Sequence, residues 1–200
     1  MLQPMKTFGE IAFTPAVQAA QERDGSREAY ARVADASRRP AGLGSAEADF
    51  LRATDSFYLA TVSETGWPYV QHRGGPPGFL KVVSPARIAF ADFRGNRQLV
   101  SVGNVSRDDR ASMIVVDYVN RRRLKLLGHL SFAALGEADP ELVFEVALPD
   151  YPARMERVAV FDVEAFEWNC PQHITQRFTA TSSPARSAAA AGRPRRRAAR

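Results

Sequence analysis

The strongest constraint on this chain is a succession of short β-rich runs set in pairs around tight turns. Residues 56–63 and 67–73 flank Glu64-Thr65-Gly66, where glycine suits a hairpin turn that needs a positive φ. Residues 79–83 and 87–93 form a second pair across Ser84-Pro85-Ala86, and residues 111–118 and 123–135 a third across Val119-Asn120. Residues 157–169 return as a long strand. Hairpins in series pair antiparallel, and this many short strands bury their apolar faces best by curling into a barrel. The fold class expected is therefore mainly β: a barrel of antiparallel strands with flanking helices.

Helical signals lie outside and between these runs. Thr14-Pro15 provides an N-cap followed by a first-turn proline, Ser26 offers a second cap, and Arg39-Pro40 stops the run. Ser45 opens another helix, Asn96 is expected to start one over 96–104, and Asp139-Pro140-Glu141 starts the last. Three regions follow: a helical extension over 1–44, a barrel domain over 45–180, and an Arg/Ala-rich arm over 181–200.

The arm explains the charge. The chain carries a formal +5, but residues 184–200 hold six of its 27 basic residues and none of its 22 acidic ones, so the remainder has 21 against 22. A body near neutrality argues against a specific nucleic-acid partner, and Ala, Pro and Arg without period read as a disordered, solvated arm. No run approaches the 18 or so apolar residues of a membrane span, the first residues lack the apolar stretch of a secretory signal, and Cys170 is the only cysteine. A cytoplasmic protein with no membrane partner and no disulfide is expected.

Several chemistries are poorly served. His72, His129 and His173 are scattered, and Cys170-Pro-Gln-His173 is half a ligand pair without a second half, so no metal is expected. There is no G-x-S-x-G elbow, and Cys170 has no evident general base. The glycine-rich run from Gly74 to Lys81 lacks the Gly-Lys-Ser/Thr of a phosphate loop, and its prolines remove amide donors.

Two segments instead suit an anionic ligand. Strand alternation puts Gln71 and Arg73 on one face and Val70 and His72 on the other. Gly74 and Gly75 leave room beside the backbone for a flat ring. After Asp92, Gly95 turns the chain and Asn96 is placed to cap a helix, so free amides and Arg97 would converge on a phosphate. A plain β-to-α turn with an exposed arginine fits the same residues.

At these residues the sequence resembles the pyridoxamine 5′-phosphate oxidase-related family of FMN-binding split barrels, over about 48–132. Glu64-Thr65-Gly66-Trp67-Pro68 resembles its Asp/Glu-x-Gly-x-Pro entry into a ligand-binding strand, and Gly95-Asn96-Arg97-Gln98 its Gly-Ser-Arg-Lys phosphate motif. Asp108-Asp109-Arg110-Ala111-Ser112 fits the return into the next strand. The resemblance implies FMN as cofactor, with Arg97 as the phosphate-binding arginine. Gln98 stands where the oxidases place a lysine and Gln71 where they place an arginine, with Arg73 as compensation. His72, Arg73 and Gly74 would pass beside the ring, Ala91 and Asp92 would lie against it, and Arg123 fills a position the oxidases give to glutamine.

The resemblance also implies a homodimer and an oxidoreductase acting on a small molecule. The substrate would not be pyridoxamine phosphate, because Pro76 stands where the oxidases hold that phosphate with lysine and their C-terminal Arg-x-His is missing. Trp168 or Arg177 would reach a partner subunit's flavin, or Trp168 caps the barrel. The alternative to an enzyme is a non-catalytic flavin- or haem-binding module for storage or sensing, in which His72 or His129 would have to ligate a haem iron.

Overall fold

The computed structural model describes residues 5–179. Seven strands, β1 (Ser56–Val62), β2 (Pro68–Gly74), β3 (Lys81–Ser84), β4 (Arg87–Phe93), β5 (Arg110–Asp117), β6 (Arg122–Ala134) and β7 (Met155–Asn169), form one antiparallel sheet in the order β2-β1-β5-β6-β7-β4-β3. The expected hairpins are all present, and Gly66 takes φ 84° at the first turn, where Cβ strain is avoided. The long strand pairs β6 to β4 and so joins the two halves of the sheet.

The sheet curls until its ends face each other. Phe57 of β1 packs edge-on against Phe90 of β4 at 5.2 Å between ring centroids and stacks on Phe79 at 5.9 Å. With Leu59, Ile88, Met113, Leu124, Leu126, Leu130 and Phe161 they fill the interior. No backbone ladder joins β2 to β4, so the barrel is split there, and the split makes room for the site. This is the mainly β barrel with flanking helices that the hairpin pattern implied, split as the family resemblance implied.

One irregularity sets which side chains face inward on β7. The β6–β7 register shifts between Leu127 and Gly128, which leaves Glu164 as an extra residue. Side-chain alternation slips by one there, so Phe166 and Trp168, opposite Leu126 and Leu124, share the inner face at that end. Gly128 lies so close that an added Cβ would sit 2.1 Å from the Asp162 carbonyl oxygen.

Helices cover the outside. Thr14 caps α2 (Pro15–Asp24) as expected, whereas Ser26 precedes α3 (Arg27–Ala31) without bonding its first-turn amides. Ahead of them, α1 (Phe8–Ala12) has a capping box in which the Thr7 amide donates to Glu10 at 2.8 Å. The Arg39 guanidinium also binds Glu10, and with Thr7 holds that carboxyl down to about 2. The N-terminal region is tied to the barrel: Met5 and Leu43 join the core, and the Lys6 amide donates to the Glu164 carbonyl at 2.9 Å. Next, α4 (Ser45–Ala53) buries Phe50 and Leu51, and the Gly44 amide donates to Glu47 at its start. The short α5 (Val100–Val105) and α6 (Pro140–Val146) complete the set, and α6 covers Ala89, Ala91 and Val158 on the far side of β4. No helix among the described residues is long and apolar enough to cross a membrane. The arm at 181–200 lies outside the described residues.

Candidate functional site

Alternation along β2 turns Tyr69, Gln71 and Arg73 inward and leaves Val70 and His72 exposed, as the sequence pattern required. On β4, Asp92 shares the interior face with Ile88 and Phe90 and is 4% exposed. Arg73 therefore bridges the split: its Nη1 donates to Asp92 Oδ1. From the other side Arg157, opposite Asp92 in the β4–β7 register, gives its Nε–H to Asp92 Oδ2 at 2.7 Å. One buried carboxylate thus holds two arginines. Arg73 also lies over the Phe132 ring, 5.5 Å from its centroid, and its Nε is buried with no hydrogen-bond partner among the described residues.

The loop after β4 closes a cleft of about 60 Å³ over this cluster. Gln71, Arg73, Asp92, Asn96, Arg97, Gln98 and Arg157 line it, and Ser101 donates to Gln71 Oε1 at 3.2 Å. Asn104 anchors α5 to the barrel through a 2.9 Å bond to Thr61 of β1. A second hollow, about 160 Å³, adjoins along the strand edge and is lined by Gln71, His72, Arg73, Gly74 and Ala91 with Phe79, Phe90 and Phe93. Nine of the ten residues singled out from the sequence therefore meet around the split.

Arg123 does not join them. Leu124 and Leu126 take the inner face of β6, which turns Arg123 outward, and it lies nine residues from Phe132, roughly 30 Å along the strand. The sequence reading in turn passed over Arg157, whose only signal was a basic residue at the start of a long strand otherwise rich in apolar positions.

Two local expectations change. The helix does not start at Asn96: Asn96 Oδ1 accepts from the Gln98 amide at 3.2 Å, Arg97 and Leu99 take φ 61° and 56°, and the helix begins only at Val100. An asparagine side chain that satisfies the amide two residues on offers the backbone a turn instead of a helix. Arg97, exposed and without an ion pair among the described residues, is carried by this turn and not by a helix end. Gly74 and Gly75 do not leave open space either. A Cβ on Gly75 would sit 2.8 Å from Phe79 Cγ, and one on Gly74 3.1 Å from the Asp55 carbonyl oxygen, so the chain's own packing explains both glycines.

The two histidines considered as haem ligands, His129 and His72, already have neighbours. His129 Nδ1 pairs with Asp109 at 2.8 Å and Nε2 lies 3.4 Å from Glu164, so neither nitrogen is open to a haem iron. His72 packs on Tyr58 at 5.6 Å on the outer face. Among the described residues there is no cluster of His, Cys, Asp or Glu able to hold a metal ion.

These features define a split barrel with a cationic cleft at its open edge. The family model for pyridoxamine 5′-phosphate oxidase matches residues 43–169, and the chain belongs to that family. Similar solved structures include HupZ of Group A Streptococcus, at 11% identity over 68% of this chain and all of that one, with a TM-score of 0.49. An FMN-binding protein of Syntrophomonas wolfei shares 15% over 74% of this chain and 97% of its own, TM-score 0.47. An F420 reductase shares 23% over 59% and 93%, TM-score 0.41. Comparison with curated proteins gives no match.

Proposed function

We infer that this protein binds FMN, with the phosphate in the cleft against Arg97, Arg73 and Gln71 and the ring along the adjoining hollow beside β2. The observation that carries the reading is the convergence of guanidinium groups on the split, together with a buried Arg73 Nε that has a donor to give. Membership of the pyridoxamine 5′-phosphate oxidase family points the same way. The donor set fits the group: arginine forks suit phosphate oxygens, and the Gln71 amide, with its oxygen occupied by Ser101, has N–H donors available.

Bound flavin would supply hydride or electron transfer, and the chain would supply position and polarity. The two hollows together are smaller than the roughly 300 to 1,000 Å³ typical of sites for ligands of this size. A ring lodged there stays open on one side. A homodimer would cover it and the apolar outer face that carries Tyr58, Val62 and Val70. Sedimentation at micromolar concentration should give twice the chain mass.

The reaction we assign is oxidoreduction of a small molecule other than pyridoxamine phosphate, because Pro76 offers no cation for that substrate's phosphate. Arg97→Ala should weaken FMN binding by about 1.5 to 3 kcal/mol, the scale of a charged hydrogen bond, and leave the melting temperature unchanged. Titration of the flavin-free protein with FMN, followed by flavin fluorescence, is the measurement. Failure of the unaltered chain to take up any flavin sinks the reading, as robust turnover of pyridoxamine phosphate would sink its substrate clause.

A further inference from the structure

The cleft holds more positive charge than its own acids answer. Asp92 is 5% exposed at its side chain and takes Arg73 on one oxygen and Arg157 on the other, with those side chains 15% and 20% exposed. A buried carboxylate needs one arginine for neutrality, and a second leaves an uncompensated charge in a poorly hydrated place, which is costly unless something else pairs with it. Glu156 is the other acid lining the cleft. Its carboxylate is shared between Arg94 at 3.7 Å and Arg157 Nη2 at 3.6 Å, beyond hydrogen-bond reach. Arg97 adds a further cation to the lining.

A guanidinium has five N–H donors in a rigid fork. Arg157 gives Nε–H to Asp92 and is part of the cleft lining, and neither of its Nη groups makes a hydrogen bond among the described residues. Arg73 is held the same way from the other oxygen of the same carboxylate. Asp92 thus fixes two forks at a small cavity whose lining has three arginines, Arg73, Arg97 and Arg157, and two acids, Asp92 and Glu156. The excess is positive, and it favours an anion such as a phosphate monoester, which carries about −1.5 to −2 near neutral pH and has several oxygens to accept from the forks.

We propose that Arg157 is a second phosphate-binding residue of this site and that Asp92 is the positioning residue that aims Arg157 and Arg73 at it. The assignment rests on the flavin reading and adds a claim about which flavin is taken. The cleft selects the phosphorylated flavin over riboflavin, and a large part of that selectivity comes from β7.

The test compares FMN with riboflavin on the flavin-free full chain, by fluorescence titration. The unaltered protein should prefer FMN. Arg157→Gln should weaken FMN by about 10- to 100-fold and leave riboflavin within about twofold, which collapses the ratio. Arg157→Lys should recover part of the loss, because charge is retained and the fork is not. Asp92→Asn separates position from charge. If Asp92 acts only as a nearby negative charge, its removal must tighten FMN; as a positioning residue, its removal must loosen FMN.

Far-UV circular dichroism of each variant checks that it is folded, and riboflavin affinity is the internal control. An unchanged FMN-to-riboflavin ratio in Arg157→Gln overturns the assignment, and so does an equal loss for both flavins, which marks a role in the fold alone. Tighter FMN binding by Asp92→Asn overturns the positioning role. Absence of binding of either flavin by the unaltered chain is a different result: it removes the flavin reading and this assignment with it.

Discussion

Arginines meet aromatic rings at several places in this barrel, and at two of them they do different work. At the split, Arg73 lies over Phe132 and shares Asp92 with Arg157, nearly out of solvent. Eight residues back along β6, about 26 Å, Trp168 packs edge-on to Phe50 at 4.7 Å and gives its indole N–H to Glu47. Arg122 covers both rings, at 5.1 and 5.8 Å, and has Asp117 at 3.5 Å for its charge. Its side chain is 53% exposed. The second arginine is neutralised, hydrated and used as a lid on aromatic packing. The first pair is dry and over-charged, and so has donors and charge left for a ligand.

The largest effect should therefore come from the carboxylate at the split. Asp92→Ala leaves two guanidiniums with only Glu156, 3.6 Å from Arg157, to answer them, and loss of one partner from a buried ionic cluster costs about 3 to 5 kcal/mol. Urea denaturation should show it, and added FMN should return part of the lost stability by binding the folded form. Arg122→Ala, measured the same way, should cost no more than about 1 kcal/mol, as an exposed pair does. Equal losses at the two sites would erase the distinction. Trp168→Ala falls between, at about 1 to 3 kcal/mol for an aromatic side chain that is only partly buried. It should leave FMN affinity unaltered if Trp168 is a cap; a fall in FMN affinity without loss of stability would instead assign it to a partner subunit's flavin.

Local physics was readable in the sequence and register was not. Each hairpin announced itself by alternation and turn residues within a dozen positions, as did the Thr14-Pro15 and Asp139-Pro140 helix starts. The inward placement of Gln71 and Arg73 needed only period two. Arg157 meets Asp92 because β7 pairs with β4 in one register out of several, 65 residues apart, and no local pattern fixes that. The bulge at Glu164 is equally silent in sequence, yet it decides that Trp168 and not Glu167 faces Phe50. At Asn96 two local rules competed: the residue type favours a helix cap and an Asx turn alike, and the turn won.

The smallest effect belongs to the exposed charges that tie the N-terminal segment to the barrel. Lys6 reaches Glu164 at 2.5 Å, and His129 stands between Glu164 and Asp109. The hydrogen bond that His129 donates to Asp109, helped by the charges of Asp109 and Glu164, raises His129 above its ordinary 6.5, while Lys6 first and His129 second lower Glu164 below 4.5. A group raised on folding stabilises fully below its unfolded value, so the His129 contribution is complete under pH 6.5 and is lost as pH climbs through the folded value. Glu164 contributes fully above pH 4.5 and loses that as pH falls through its own folded value. The plateau thus lies between about 4.5 and 6.5, and the melting temperature should decline gently above it. With His129 44% exposed, solvent screening should keep that decline to no more than about 3 °C. His129→Gln should flatten the alkaline limb and shrink the acid limb without abolishing it, because Lys6 still lowers Glu164. In 0.5 M salt the limb should shrink in the unaltered protein, because these charges are open to screening, whereas the Asp92→Ala deficit should persist. A salt response of equal size at both places would mean that the split is as wet as the surface, and would remove the physical basis for treating its arginines as a ligand site.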